Sequence, residues 1–187
     1  MLSSASEDSE LLVAFGLVGT KNKAFECLLD KYQKRVYWHV RRIVIDHDDA
    51  NDVTQNTFIK MWTQLEKYRG ESKLYTWLYR VATNEALHFL SKKKTDRNIP
   101  IDSDDSDLLN TLESAHYFNG NALELKLQTA ILTLPTKQRT VFNMKYFDNM
   151  KYEDMSEVLE TSVGALKASY HHAVKKIEAF FENELNH

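Results

Sequence analysis

Side chains able to do covalent chemistry are few in this chain, and their spacing does not favour it. His47 stands among Asp46, Asp48 and Asp49, a group that could hold a metal. It falls at a helix junction, however, where such residues cap helix ends. His171 and His172 are adjacent, so on a helix they point about 100° apart and do not readily share an ion. Glu26 and Glu85 border apolar faces, yet neither has a second inward carboxylate at the spacing a dimetal set needs. The single cysteine, Cys27, sits beside core positions, where a buried inert thiol belongs. It has no partner for an internal disulfide, and no Cys/His spacing suggests zinc. No catalytic residue, metal or cofactor is expected. What recurs instead is lysine, arginine, asparagine and aromatic residues at helical spacing, a set suited to holding a polyanion rather than breaking a bond.

The distribution of charge supports this. The whole chain of 187 residues has a formal net charge of −3, but the charge is segregated. Residues 1–20 carry three acids and no base, and residues 21–100 carry 16 bases against 10 acids. Residues 101–121 carry five acids and no base. Thr161 to Ile177 contains three lysines, two histidines and no acid. Local basic blocks are the footprint of a polyanion site, against the plainer reading of solvated helix faces. The N-terminus, MLSSASEDSE, is acidic and unlike a signal peptide. The apolar runs are too short to span a bilayer, so no membrane insertion is expected. A cytoplasmic protein is the expectation. With five glycines and two prolines, turn signals are scarce, which argues against an all-β sandwich and a glycine-rich Rossmann or P-loop enzyme.

Helices must therefore position these residues. Phe25, Leu28, Leu29, Tyr32, Val36, Val40, Ile43 and Val44 recur at three- and four-residue spacing and predict a long helix over about 22–45. A second is predicted over about 48–66, burying Ala50, Val53, Thr57, Phe58, Met61 and Leu65. A third runs over about 73–93, capped by Ser72, with Leu74, Leu78, Val81, Ala82 and Phe89 inward. A shorter helix lies within 8–18. Residues 95–121, with Pro100, the acidic run Asp102–Asp107 and Gly120, read as a flexible acidic linker with a short helix near Leu108–Phe118. Beyond it, helices are predicted near 122–132, 136–147, 152–159 and 163–183. Ser162 caps the last, whose inner face is Val163, Leu166, Tyr170, Ala173, Val174 and Ile177. Two helices joined by a short turn, the second basic on its outside, make a helix-turn-helix. The fold class is all-α, with two small helical domains over 1–94 and 122–187.

Two blocks of this sequence resemble a known family. Asp48-Asp49-Ala50-Asn51-Asp52-Val53-Thr54-Gln55-Asn56-Thr57-Phe58-Ile59-Lys60-Met61-Trp62 and Arg69-Gly70-Glu71-Ser72-Lys73-Leu74-Tyr75-Thr76-Trp77-Leu78-Tyr79-Arg80-Val81-Ala82-Thr83-Asn84 resemble region 2 of bacterial extracytoplasmic-function (ECF) sigma factors. Leu134-Pro135-Thr136-Lys137-Gln138-Arg139-Thr140-Val141-Phe142 and Ser162-Val163-Gly164-Ala165-Leu166-Lys167 resemble region 4. The resemblance covers about 8–94 and 122–184. It implies a non-enzymatic transcription initiation factor that gives core RNA polymerase its promoter specificity. The family habit also implies an anti-sigma partner anchored at the membrane.

Helical wheels then sort the candidate residues. On helix 48–66, Asp48, Asp52, Asn56 and Ile59 point outward, with Asp49 and Gln55 at the edges. An acid-rich face with one exposed aliphatic suits a protein rather than DNA, and the resemblance implies that it binds the polymerase clamp helices. On helix 73–93, Lys73, Arg80 and Asn84 share a stripe beside Thr76 and Trp77, with Lys92, Lys93 and Lys94 at its end. Cations, an amide and an aromatic are what capture of an unpaired strand needs. The preceding loop, with Tyr68 and Arg69, is where the resemblance places a flipped base of the −10 element. Trp77 and Tyr68 border the apolar face and suit core packing equally well. On the last helix, after Ser162, Gly164, Ala168, His172 and Lys175 lie opposite the core, and Ala165, Lys167, Ser169, His171 and Lys176 flank them. Small residues permit close approach to a major groove, and the resemblance makes this the −35 reader. Ser169 and His172 stand where the family often has arginine, Glu160 where glycine is frequent and Lys151 where a capping serine is frequent. An independent helix-turn-helix activator is the rival reading, and it leaves the acidic helix unexplained.

Overall fold

The stripe of small and aliphatic residues from Ala24 to Val44 winds into the longest helix of the N-terminal half, and everything else there packs on it. The computed structural model describes residues 2–96 and 122–185. Among them, helices α1 (Asp8–Phe15), α2 (Lys21–Val44), α3 (His47–Gln64) and α4 (Leu74–Asp96) form the N-terminal unit. Helices α5 (Ala122–Leu132), α6 (Thr136–Tyr146), α7 (Tyr152–Leu159) and α8 (Val163–Leu185) form the C-terminal unit. The described residues contain no strand. The expected helix near Leu108–Phe118 lies outside the described residues, as does the expected linker apart from Thr95 and Asp96. Those two complete the last turn of α4.

Helices α2, α3 and α4 pack on one another, and α1 lies against α2. Their shared core runs from Leu11 and Phe15 through Leu28, Val36, Val40 and Ile43 to Val53, Met61, Leu74, Leu78 and Ala82. Phe15 and Phe25 both meet the Trp62 ring edge-on, with centroids 5.3 and 4.9 Å away, a geometry that suits the aromatic quadrupole. The α2–α3 corner is two residues, Ile45 and Asp46. Ile45 is buried at φ 68° and ψ −43°, and the Asp46 N–H donates across it to the Val44 carbonyl at 2.8 Å. This is a γ-turn in its strained form, costing on the order of 1–3 kcal/mol for a β-branched residue. Asp46 then caps α3, its carboxylate accepting from the Asp48 and Asp49 N–H groups at 2.9 Å each.

The start of α4 differs from expectation. Its first intrahelical bond runs from the Trp77 N–H to the Lys73 carbonyl, so Lys73, not Ser72, takes the cap position. The Ser72 carbonyl instead accepts from the Tyr68 hydroxyl, which ties the loop to its own helix.

In the C-terminal unit α5, α6 and α8 enclose Ala130, Ile131, Leu134, Phe142, Ala173 and Ile177. Helix α7 turns into α8 through Glu160, which is left-handed at φ 50°. The turn closes by the Thr161 N–H donating to the Ser156 carbonyl, the six-to-one bond of a Schellman motif. Ser162 caps α8 as expected, its hydroxyl accepting from the Ala165 N–H at 3.3 Å.

The two units also meet. Tyr79 of α4 is buried in a cluster whose other buried members all come from the C-terminal unit: Val141, Met144, Met150, Met155, Val158 and Leu166.

Candidate polymerase and promoter interface

Three helix faces carry the residues singled out by the wheels. On α3, Asp48, Asp52, Gln55, Asn56 and Ile59 all reach solvent, while Ala50, Val53, Thr57, Phe58, Met61 and Leu65 are buried. Asp49 is half-buried and ion-paired with Lys93 of α4. Lys93 therefore spends its charge on the acidic helix here, and its neighbour Lys92 is exposed while Lys94 is half-buried. His47 is held by the Tyr37 hydroxyl at 2.7 Å and Asn51 at 3.1 Å. Among the described residues no group of His, Cys, Asp and Glu is placed to hold a metal ion.

The α4 stripe is only partly open. Asn84 is exposed and Arg80 half-buried. Arg69 is exposed on the preceding loop, whose Gly70 has a φ of 72°. Trp77 and Tyr68 pack against the N-terminal core with ring centroids 5.6 Å apart. Thr76 is 1% exposed and points inward, not along the stripe, because α4 buries two sides, one on α2 and α3 and one on the C-terminal unit. Lys73 reaches solvent, but its ammonium is 3.1 Å from Asp154 of α7.

On α8, Ser162, Ala165, Lys167, Ala168, His172, Lys175 and Lys176 are exposed and Ser169 is half-buried. Leu166, Ala173 and Ile177 face the core. A Cβ added at Gly164 would meet nothing within 4 Å, so the outer surface of the first turn is shallow and cationic at its edge. That relief lets a helix sit deep in a major groove while lysines reach phosphates.

Sequence reasoning did not find the groups between the units. Asp148, beyond the end of α6, accepts from His39 Nδ1 and from Arg42, each at 3.0 Å. Asp154 accepts from Lys73 and from the Tyr75 hydroxyl. Burial works to raise the Asp154 carboxyl, but the hydrogen bonds from Tyr75 and Lys73 outweigh it and hold it below the usual carboxylate range. Burial, assisted by Asp154, pushes the Tyr75 hydroxyl up to about 12, and burial beside Asp148 does the same for Tyr79. No local pattern announces these pairs, since their partners lie 79 to 109 residues apart.

The sigma-70 region 2 family model matches residues 28–95, and the sigma-70 region 4 model matches residues 124–177. The chain is 32% identical over 172 residues to the RNA polymerase sigma-H factor of Pseudomonas aeruginosa, covering 83% of this chain and 85% of that one. It is 31% identical over 157 residues to the ECF RNA polymerase sigma factor SigW of Bacillus subtilis, covering 79% and 83%. The chain belongs to the ECF family of RNA polymerase sigma factors. An ECF sigma factor directs RNA polymerase to promoters and initiates transcription, with region 2 and region 4 meeting polymerase and promoter DNA. The fold agrees with that of the sigma factor RpoE of Bartonella quintana, solved with the anti-sigma factor NepR. The TM-score is 0.69 at 19% identity, over 86% of this chain and 98% of that one. It agrees also with CnrH, solved with the cytosolic domain of CnrY, with a TM-score of 0.66 at 20% identity over 94% and 99%.

Proposed function

We propose that the three exposed faces divide the work of this sigma factor, with residues 1–94 and 122–187 acting as separate modules joined by the linker 95–121. Asp48, Asp49, Asp52, Gln55, Asn56 and Ile59 dock on the polymerase clamp helices. Arg69, Lys73, Arg80, Asn84 and Lys92–Lys94 hold the −10 strand, with Tyr68 and Trp77 shaping the loop that takes its flipped base. Trapping that base returns the few kcal/mol that unpairing costs. Ser162, Ala165, Lys167, Ala168, Ser169, His172, Lys175 and Lys176 read the −35 element and its phosphates. The protein performs no covalent chemistry and acts in the cytoplasm, where polymerase is. An anti-sigma factor regulates it, as NepR and CnrY are seen bound to the two solved relatives.

The observation that carries this reading is the coincidence of two matched sigma-70 regions with solvent-facing side chains of the right chemistry on all three helices. In vitro transcription with core polymerase, with and without the full chain, tests it. Promoter-specific transcripts that require the chain are expected. Specific duplex binding by the free chain with no gain in transcription would replace the reading with a polymerase-independent activator.

A further inference from the structure

At the entry to the helix-turn-helix, Lys151 stands where the family often has a capping serine. Lys151 is exposed at the N-cap of α7 and supplies no side-chain cap. The turn that delivers it is well fixed. Asn149 is left-handed at φ 49°, and the Met150 N–H donates to the Met144 carbonyl at 3.0 Å, the six-to-one bond of a Schellman motif. The same turn brings back Lys145 of α6, whose ammonium donates to the Met150 carbonyl at 3.3 Å. That ammonium lies 5.0 Å from the centroid of the Tyr152 ring. Lys167, from the first turns of α8, lies 5.7 Å from the same centroid.

Two ammonium groups thus share one aromatic ring, with a third lysine next to that ring in the chain. Among the described residues none of the three makes an ion pair. Asp154, in the first turn of α7, turns instead to Lys73 and Tyr75. The ring quadrupole attracts each cation but leaves their mutual repulsion in place, which an anion set among them would relieve. The first N–H groups of α7, which no cap side chain takes up, add partial positive charge at the same end.

We propose that Lys145, Lys151 and Tyr152 form, with Lys167, a clamp for one backbone phosphate of the −35 duplex, at the edge of the groove that α8 enters. The inference rests on the functional reading above for the duplex. In a helix-turn-helix the first helix crosses the backbone while the second lies in the groove, so the start of α7 and the start of α8 face one strand together. Lys167 immediately precedes Ala168 of the reading surface, so a phosphate held there sets the register of α8 without carrying sequence information itself.

The test uses holoenzyme assembled with the full chain and compares the parent with Lys151→Ser and with Lys145→Gln combined with Lys151→Ser. Promoter occupancy is measured over a range of salt, on probes differing in −35 sequence and on probes with single phosphates replaced by neutral methylphosphonate. Serine supplies the missing cap, so a denaturant melt should show stability retained. Lys151→Ser is expected to lower occupancy about three- to tenfold on every −35 sequence alike, and to make the salt dependence shallower by about one phosphate contact. Methylphosphonate at one position should weaken the parent and leave the double variant unaffected. Variants that bind like the parent, a loss confined to particular −35 sequences, or a loss with no phosphate singled out would each overturn the clamp. Weakened transcription at unchanged occupancy would assign the lysines to an acidic protein partner and overturn it too. A parent holoenzyme with no promoter preference overturns the functional reading, and the clamp with it, whereas the other outcomes leave that reading standing.

Discussion

Ile59→Asp tests the polymerase face most sharply. Ile59 is 55% exposed on α3, ringed by Asn56, Gln55 and Asp52. Complete burial of an isoleucine is worth about 1.5–3 kcal/mol. Roughly half of that remains to be gained when a partner covers this side chain, which is about 1 kcal/mol. A carboxylate in its place must also be stripped of water inside the interface, at a further cost of about 1–2 kcal/mol. The sum, about 2–3 kcal/mol, is roughly a 30- to 140-fold loss of affinity. Folding should change by no more than about 0.5 kcal/mol, because the position contributes little to the core. Fluorescence anisotropy of the labelled chain titrated with core polymerase gives the affinity, and a denaturant melt gives the stability. Ile59→Leu, which keeps the apolar surface, should bind within a few-fold of the parent. Binding of Ile59→Asp within twofold of the parent, with unchanged stability, would refute the placement of polymerase on this face.

Selection from a randomised −35 library with holoenzyme should show that Ser169→Arg changes which bases are preferred. In the same selection Lys176→Ala should lower occupancy on every promoter alike, because a phosphate contact carries no sequence information. Glu160→Gly should stabilise the protein by about 1 kcal/mol in a denaturant melt, since the left-handed conformation costs an L-residue about 1–2 kcal/mol and glycine nothing comparable. The contact between the units should also be alkali-sensitive. The Tyr75 and Tyr79 hydroxyls rise from 10.0 to about 12 with the two units in contact, so the stability they contribute is full below the ordinary tyrosine pKa and is lost as pH climbs towards 12. A tyrosinate absorbance titration that completes near pH 10 without a delayed component would contradict this.

The helices themselves were largely legible. The stripe on α2, the buried set of α3 and the Ser162 cap all follow from spacing and side-chain type, because each concerns residues within a turn or two of one another. The exposed faces of α3 and α8 were legible for the same reason. A single apolar face does not describe α4, because that helix buries two sides. Thr76 and Tyr79 therefore turn inward, and Val81 and Phe89 remain half-buried. Asp148 and Asp154 look like ordinary surface acids, and only the docking of α6 and α7 on α2 and α4 buries them. Ser72 looked like a cap, but the Tyr68 hydroxyl reaches its carbonyl first. The γ-turn at Ile45 left no trace either, since a β-branched residue is among the last expected at positive φ.

That corner decides how much slack lies between α3, the proposed docking helix, and the rest of the molecule. With only Ile45 and Asp46 joining α2 to α3, and Asp46 bonded both to the turn and to the first turn of α3, no loop remains to absorb a length change. One inserted residue would swing α3 about 100° around its axis, carrying Asp52 into the buried place of Val53 and Phe58 out to the exposed place of Ile59. The same absence of slack spares a docking protein the cost of ordering this helix, because its acidic surface is already held at a set angle to α4. Among the joints of this chain the α2–α3 corner should thus tolerate insertions least, and lineages that lengthen the protein should do so elsewhere.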